Sequence, residues 1–452
     1  MKTKILTFAL LFFLTTVLTA QSQVPSPRYG FSVCAIYDSI AGRNIYYIFG
    51  GAEIGGVKSI KAQPRADIYS FNGINFEKVD ATMAPGSEQI PGMFGHNALV
   101  QNGKMYIFNG ARSETTNAST YIFSYENSTF TQGSLPPYPE KMYVFNGTRS
   151  EANDATMIFV GGQKFDGTAS NECWTYNVEN EVWAQKAPIA YGGRWGGASA
   201  LINDILYIFG GMSDNGPQQS LFAYNIINNN WNWLSPNGFA IPGIYGVISA
   251  QLGNNFYVSG GGMWSGKKNT MVDTEFSSSL YQFNVDTISG NVTISELSNN
   301  LPPSIFGAGW MEVENGDTIM YSIGGITNIS TSGDTTLTNN FYRYNITDNI
   351  VQQYDTITQT WGAVQSSINE TEFKPSQELS IFPNPVSTQI NFALQTNERI
   401  KIIKIFNQNG QLIQQISNPK LNEIDFTDKT TGLYFIRIDT EKNYYLGKVI
   451  KQ

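Results

Sequence analysis

Short apolar stretches in which polar positions alternate run through most of this chain, and many of them end in a pair of glycines. The clearest example covers residues 206–231, where LYIFGG is followed by a polar loop and then by a second apolar segment that ends at NNNW. Alternation with a period of two predicts β-strands, and clusters of Gly and Asn predict the turns between them. This stretch therefore predicts a pair of antiparallel strands.

The same unit recurs along the chain. Its mark, an apolar strand that ends in Gly-Gly or a close variant, returns at a spacing of roughly 50 residues, which is typical of a repeated supersecondary unit. The six copies are YYIFGG at 46–51, MYIFNG at 105–110, MIFVGG at 157–162, LYIFGG at 206–211, FYVSGG at 256–261 and MYSIGG at 320–325.

The surroundings of each copy follow a common pattern. A strand opened by an aromatic residue or Arg and then Gly comes before it, a Tyr-rich strand comes after it, and a bulky residue such as Trp183 or Trp231 closes several units. Each unit is thus a small sheet with two apolar faces, which cannot be buried alone. Stacking such sheets face to face in a ring buries both faces. We expect the glycines where neighbouring sheets approach too closely for a Cβ atom.

This repeated pattern resembles the kelch repeat, a unit of β-propellers, over residues 25–365. The marks Arg-x-Gly, Gly-Gly, Tyr and Trp are clearest in the fourth copy, whereas Asn109 replaces the first glycine of the second copy and the third copy lacks a clear Arg-x-Gly opening. The resemblance implies an all-β fold with a six-bladed propeller. The sequence leaves open how the ring closes.

The two ends of the chain follow other patterns. Residues 1–22 have the charged, apolar and small-residue layout of a secretory signal peptide, and the apolar run is too short to span a bilayer. Residues 366–378 are polar and patternless, which predicts a linker. Residues 379–452 contain alternating strands separated by Asn-Gly and Thr-Gly turns, which predict a small antiparallel β-sandwich.

This C-terminal module is similar to the type A sorting domain of the type IX secretion system of the Bacteroidota. The resemblance rests on PNP at residues 383–385, on the strand ending at Gly410, on GLYF at 432–435 and on GKVIK at 447–451. It implies export to the periplasm, recognition by the secretion machinery as a partner, and delivery to the outer-membrane surface or the medium.

Composition narrows the remaining chemistry. The net charge is −8, which disfavours a nucleic-acid partner, and no later stretch is apolar for long enough to span a membrane. His96 is the single histidine, so a zinc site or a catalytic triad lacks its usual ligands, and we expect a structural role for it and neither metal nor cofactor. Cys34 and Cys173 fall at non-equivalent places in different repeats, which favours two buried thiols over a disulfide.

The kelch resemblance also suggests where a ligand binds. The Arg of Arg-x-Gly often faces the mouth of the central channel in kelch proteins, and aromatic residues nearby offer stacking surfaces for sugars or side chains. The candidate binding residues are Arg28, Arg194, Trp195, Tyr245 and Trp310.

Three functions fit these residues. The leading one is a secreted or cell-surface binding module for an extracellular protein or glycan, with no catalytic residues. A second is a kelch-type mutarotase or epimerase that acts on sialic acid, for which Arg28, Arg194 and Glu312 would supply an anion clamp and acid–base groups. A third is a structural adhesion component with a channel filled by bulky side chains.

Overall fold

The computed structural model describes the chain as β-strands, turns and connecting segments. The described residues are 23–54, 62–112, 121–132, 139, 142–144, 146–149, 155–238, 240–264, 274–297, 301–330, 334–364, 377–393, 399–407, 412–417, 419, 423–440 and 444–452. The predicted signal peptide and residues 366–376 of the predicted linker lie outside these ranges. Across these ranges, no helix is long and apolar enough to cross a membrane.

The first half of the propeller contains three large sheets, which we call blades 1 to 3. The strands of blade 1 and its side ribbon are β1 (Ser32–Asp38), β2 (Arg43–Phe49), β3 (Ala52–Ile54), β4 (Ala62–Pro64), β5 (Ile68–Phe71) and β6 (Phe76–Val79). Those of blade 2 are β7 (Thr82–Met83), β8 (Asn97–Gln101), β9 (Lys104–Phe108), β10 (Tyr121–Ser124) and β11 (Thr129–Gln132). Those of blade 3 are β12 (Met142–Tyr143), β13 (Asn146–Arg149), β14 (Thr156–Val160), β15 (Gln163–Lys164), β16 (Cys173–Asn177) and β17 (Val182–Lys186).

Three further sheets, blades 4 to 6, follow in the same order. Blade 4 contains β18 (Ala198–Ile202), β19 (Ile205–Phe209), β20 (Met212–Ser213), β21 (Gly216–Pro217), β22 (Leu221–Asn225) and β23 (Asn230–Leu234). Blade 5 contains β24 (Asn237–Gly238), β25 (Ile248–Leu252), β26 (Asn255–Ser259), β27 (Gly262–Trp264), β28 (Thr274–Phe276), β29 (Leu280–Val285) and β30 (Val292–Glu296). Blade 6 contains β31 (Ala308–Glu314), β32 (Asp317–Ile329), β33 (Thr335–Asn345), β34 (Ile350–Asp355) and β35 (Thr360–Ala363).

The main strands of each blade form an antiparallel meander that starts at the centre of the propeller, and in blades 2 and 5 a short strand, β7 or β24, pairs in parallel with the last strand. In blade 4, for example, the order from the innermost strand outward is β18, β19, β22 and β23, while β20 and β21 form a side ribbon. The turn between β18 and β19 consists of Asn203 and Asp204, both with positive φ, and Asn-Gly occupies the equivalent turn of blade 2 at residues 102–103. Such turns match the twist of the strands and fix their register.

The hydrophobic core lies between the blades. Six clusters of buried apolar side chains each join two neighbouring sheets, and the cluster between blades 6 and 1 includes Phe71, Trp310, Tyr321 and Phe341. The innermost strands also touch their neighbours in cyclic order, with β31 against β1. This arrangement explains why the middle strands are apolar on both faces, as in the fully buried stretch of residues 206–209.

Two sets of backbone hydrogen bonds tie the ring together. In the first, six residues with φ between 53° and 65° each donate an N–H to the carbonyl of the corresponding residue in the neighbouring blade, at 2.7–3.1 Å. The donors and acceptors form a closed cycle that runs Gly30, Phe306, Gly246, Gly196, Val144, Gly95 and back to Gly30. In the second, the last glycine of each repeat donates to the next blade, as Gly211 does to Ile244 at 2.7 Å.

Among the described strands, ring closure uses no exchanged strand, because blade 1 and blade 6 are each continuous in sequence. A short N-terminal segment lies over their seam instead. The N–H of Gln23 donates to the carbonyl of Phe76 in blade 1, and Asn339 of blade 6 donates to the carbonyl of Pro25. The side chain of Val24 packs against the cluster between the two blades.

The C-terminal module is a pair of sheets packed around its own core. Its strands are β36 (Gln377–Glu378), β37 (Ser380–Phe382), β38 (Gln389–Ala393), β39 (Ile400–Asn407), β40 (Leu412–Ser417), β41 (Glu423–Asp425), β42 (Gly432–Thr440) and β43 (Tyr444–Lys451). The larger sheet has the order β36, β43, β42, β39, β40, and the smaller one has the order β37, β38, β41. Ile390, Ile403, Ile405, Ile436 and Val449 are fully buried in the core between them. The structure confirms the all-β fold expected from the sequence.

Candidate functional site

An aromatic pocket lies at one mouth of the central channel, beside the cycle of hydrogen bonds. Its volume is about 230 Å³, and two members of the cycle, Val144 and Phe306, form part of its wall. Blades 1, 2, 3, 4 and 6 all contribute to the lining. The lining residues are Tyr29, Ile54, Phe94, Tyr143, Val144, Gln163, Trp195, Phe306, Ile326 and Thr335. We call this site the mouth pocket.

The position of most of these aromatic residues follows from the repeat. Tyr29, Phe94, Tyr143 and Trp195 each immediately precede a member of the cycle, so the same backbone geometry places them at the same level in four blades. Short antiparallel bridges fix Tyr29 to Ala52, Phe94 to Ala111 and Trp195 to Met212. The pocket is therefore held by the frame of the propeller.

The aromatic rings support one another in two groups. Trp195 and Phe306 lie nearly parallel, with ring centroids 6.2 Å apart, and the edge of Tyr245 meets both rings. On the other side, Phe94 packs against Tyr29 at 5.6 Å and Tyr143 at 6.1 Å. Aromatic pairs in such geometries add stability beyond the burial of their area, so the walls are stiff.

The polar groups of the mouth pocket are neutral. Burial, together with the neighbouring Tyr143, raises the pKa of Tyr29 to about 12, and burial also raises the pKa of Tyr143. Both phenols therefore keep their protons at neutral pH and can donate hydrogen bonds. Gln163 and Thr335 add an amide and a hydroxyl, and none of the lining residues that the structure describes carries a charge. This lining suits a neutral group with apolar faces.

Arg28, a predicted ligand contact, lies inside blade 1 and is 1% exposed. Its guanidinium donates to Asp67 Oδ1 at 2.6 Å and to the carbonyl of Gly50 at 2.9 Å, and Glu53 lies 3.8 Å away. Burial opposes ionisation of Asp67, but the hydrogen bond and charge of Arg28 outweigh it and hold the pKa of that carboxyl below its usual value. Arg28 thus neutralises a carboxylate and ties the opening of blade 1 to β5.

Arg194 occupies the equivalent place in blade 4 and is 2% exposed. It donates to the carbonyl of Gly210 and to Ser220 Oγ, both at 3.2 Å, and its guanidinium lies 4.3 Å from the ring centre of Phe222. Ser220 stands where blade 1 has Asp67, since both residues accept the N–H of the first glycine of their repeat. Burial lowers the pKa of Arg194 to about 10. Neither predicted arginine faces open solvent.

The other predicted contacts divide between the site and the core. Trp195 lines the mouth pocket, and Tyr245, which is fully buried, supports it from behind while its hydroxyl pairs with Thr274 Oγ1 at 2.6 Å. Trp310 instead stacks between Tyr46 at 4.6 Å and Tyr321 at 5.0 Å in the seam between blades 6 and 1.

The residues expected for a mutarotase do not meet. Glu312 interacts with Tyr46 near the far end of β31, and burial raises the pKa of its carboxyl. It lies six residues beyond Phe306, which corresponds to about 20 Å along a strand. Arg28 and Arg194 lie at the opposite end of the blades, beside the cycle. The structure therefore assembles no common site from this set.

His96 and the two cysteines have structural positions. His96 is 7% exposed and packs edge-on against Phe49 at 5.2 Å, and burial lowers its pKa to about 3. Cys34 and Cys173 are free and buried, which confirms the interpretation as thiols. Within the described ranges, no three His, Cys, Asp or Glu side chains are grouped so that they could hold a metal ion.

The sequence analysis did not identify four aromatic residues that line the mouth pocket: Tyr29, Phe94, Tyr143 and Phe306. Their signal is the position just before the glycine that opens each inner strand. In blade 3 that glycine is replaced by Val144, and in blade 6 Phe306 itself takes the positive-φ place, with φ of 57°. These two irregular repeats hid the shared position.

Comparison with known proteins agrees with this architecture. A family model described as the Attractin/LZTR1 beta-propeller matches residues 123–382, and the KLHDC2/KLHL20/DRC7 Kelch-repeats domain matches residues 12–192. The Secretion system C-terminal sorting domain matches residues 380–452. These matches confirm the kelch and sorting-domain resemblances. A sorting domain of this kind indicates delivery across the outer membrane to the surface or the medium.

A curated relative matches about half of the chain. The chain is 26% identical over 252 residues to multiple epidermal growth factor-like domains protein 8 of Rattus norvegicus. The match includes 52% of this chain and 9% of the rat protein, so the chain spans less than a tenth of that relative. More than half of the chain matches the propeller model, and the protein therefore belongs to the attractin/LZTR1 β-propeller family, here joined to a secretion-system sorting domain.

Proposed function

We propose that this protein is an exported binding module that holds one residue of a neutral glycan in the mouth pocket. The observation that carries the proposal is the lining itself, in which aromatic residues from several blades surround about 230 Å³ and none of the described lining residues is charged. A pocket of this size is smaller than the sites that enclose drug-sized ligands. It suits a single sugar ring or side chain.

The chemistry of the lining favours a sugar over a protein side chain. A pyranose has apolar faces that can stack on Trp195 and Phe306 and hydroxyl groups around its edge. The protonated phenols of Tyr29 and Tyr143 and the amide of Gln163 supply donors and acceptors for those hydroxyls. An apolar side chain would leave these polar groups without partners, which costs binding energy.

The same lining disfavours sialic acid. Its carboxylate would enter a pocket whose described lining includes no cationic residue, and burying an unpaired carboxylate is costly. In this proposal, Trp195 contacts the ligand and Tyr245 holds Trp195 in place. Arg28, Arg194 and Trp310 stabilise the blades that carry the site.

Binding to a panel of neutral oligosaccharides and extracellular proteins, measured by calorimetry, tests the proposal. Phe94→Ala with Tyr143→Ala removes one wall of the pocket, and truncating such central aromatic contacts should weaken sugar binding by about 30-fold or more. Trp233→Ala is the matched control, since this tryptophan is 61% exposed and lies outside the pocket.

The outcomes separate the hypotheses. Loss of sugar binding in the double variant, with unchanged binding in the Trp233 control and an unchanged fold by circular dichroism, supports the proposal. Sugar binding that survives the double variant contradicts it, and so does a parent protein that binds a protein ligand but no neutral sugar. Faster exchange between the anomers of sialic acid, followed by NMR, would establish the mutarotase alternative instead.

A further inference from the structure

The last strand of the sorting domain is an interior strand of its sheet. β43 pairs with β42 on one side, and on the other side with β36 and with the segment around Val386. The N–H of Val386 donates to the carbonyl of Ile450 at 2.8 Å, and the N–H of Gln452 donates to the carbonyl of Val386 at 2.9 Å. Asn384 adds two side-chain hydrogen bonds, to the carbonyl of Lys448 and from the N–H of Ile450.

This pairing decides how the end of the chain can be recognised. A receptor that reads an extended peptide by adding it to a sheet needs free backbone groups. Residues 448–451 pair with β42 on one side of the strand. On the other side, both backbone groups of Ile450, the carbonyl of Lys448 and the N–H of Gln452 are hydrogen-bonded. The folded domain therefore presents side chains on its faces, while the backbone of its last strand is occupied.

The two outer faces of the domain differ. On the larger sheet, the cross-strand register aligns Phe406, Phe435 and Lys448 in one row and Leu433 with Ile450 in another. Phe435 is 41% exposed and Ile450 is 45% exposed, although their sequence neighbours Ile436 and Val449 are fully buried. The register also places Lys404 beside Arg437, and Ile402 beside Asp439, on this face. We call this surface the Phe435 face.

The outer face of the smaller sheet is acidic and polar. The register places Asn391 beside Glu423 and Gln389 beside Asp425, and Gln389 donates to Glu423 Oε2 at 2.6 Å. Phe382 is 54% exposed on the same face. The domain thus has one face with exposed apolar residues and more cationic than acidic positions, and one face with carboxylates.

We propose that the Phe435 face is the surface through which the secretion machinery binds this protein, and that its partner is a protein with an apolar centre and an acidic rim. Exposed aromatic and aliphatic side chains surrounded by charges are typical of such interfaces. Residues 377–452 contain nine Lys and Arg against seven Asp and Glu, whereas the whole chain has 28 against 36. An acidic receptor therefore attracts this domain and repels the rest of the protein.

Export of the full chain tests the proposal. The variant Phe435→Thr with Lys448→Glu removes one exposed aromatic residue and reverses one exposed charge on the Phe435 face. The matched control, Phe382→Thr with Glu423→Lys, makes the same two kinds of change on the other face. Because the altered side chains are exposed, both variants should fold, which urea unfolding of the purified proteins checks.

We expect surface delivery of the Phe435-face variant to fall by about tenfold or more, with accumulation in the periplasm, while the control is delivered like the parent. Equal delivery of the two folded variants would overturn the proposal. Binding of the parent to vesicles with anionic lipids, lost in the Phe435-face variant, would also overturn it in favour of a membrane surface. Sugar binding by the propeller is measured separately and stays unchanged in either variant, so the two proposals fail independently.

Discussion

The propeller should lose stability in mildly acidic solution because His96 takes up a proton when the chain unfolds. The imidazole is buried between blades 1 and 2 against Phe49, and burial lowers its pKa from 6.5 to about 3. An unfolded chain leaves the same group in water with its ordinary pKa. A histidine with a lowered pKa in the folded state contributes stability that is complete above pH 6.5 and is lost as the pH falls toward 3.

The size of the loss follows from the two pKa values. At pH 5 the unfolded chain binds a proton at this site and the folded chain does not, which costs about 2 kcal/mol relative to pH 7.5. This value depends almost entirely on the pKa of the unfolded state, because the pKa of the folded state lies well below 5. The loss of stability from His96 would approach about 5 kcal/mol below pH 3, where the carboxyl groups of the protein also titrate.

Urea unfolding at pH 7.5 and pH 5 of the parent and of His96→Gln measures this effect. All eight tryptophans lie in the propeller, so tryptophan fluorescence follows the unfolding of that domain alone. Burial raises the pKa of Glu312, which stabilises the fold as the pH falls, but this contribution is common to both proteins and cancels in the comparison. If the parent and His96→Gln lose the same free energy of unfolding between the two pH values, the reasoning is wrong.

Two further sets of variants test the frame. Gly161→Ala should lower the free energy of unfolding in urea by about 3 kcal/mol or more, because the added Cβ would lie 2.3 Å from the carbonyl oxygen of Arg194. Gly167→Ala, also at positive φ but with no atom within 4 Å of the added Cβ, should lower it by about 1 kcal/mol. Equal losses in the two variants would contradict a clash between blades. Arg28→Met should lower the free energy of unfolding by about 3 kcal/mol, because it leaves the Asp67 carboxylate without its cationic partner. Arg194→Met should lower it by about 1 kcal/mol or less, because no described neighbour of Arg194 is a carboxylate that would lose its partner. The reverse order of the two losses would refute these roles for the arginines.

The repeated strands and the sorting domain were predictable from the sequence because local patterns determine them. Alternating apolar residues that end in Gly-Gly predict the two central strands of each blade, and Asn-rich turns predict their connections. The burial of Arg28 and Arg194 was not predictable from Arg-x-Gly alone. Whether such an arginine reaches solvent depends on distant residues of the same blade, here Asp67 just before β5 and Ser220 just before β22.

The mouth pocket was harder to predict than the fold. Its walls come from several blades and share only a position in the repeat, and the two repeats that break the glycine pattern, at Val144 and Phe306, both contribute to it. Trp195 was found because it follows Arg194 in the best-preserved repeat. The sequence also predicted Trp310 as a ligand contact, but the closure of the ring places it in the core between blades 6 and 1.

The way in which the ring closes has a mechanical consequence. Since none of the described strands crosses from blade 6 to blade 1, tension applied between the two ends of the propeller falls on the seam between these blades. That seam is held by aromatic packing, by the backbone contacts of Gly30 with Phe306 and of Gly325 with Arg28, and by residues 23–25, which lie across it. A protein pulled from its C-terminal end would open there first, and the mouth pocket, which has walls on both sides of the seam, would open with it.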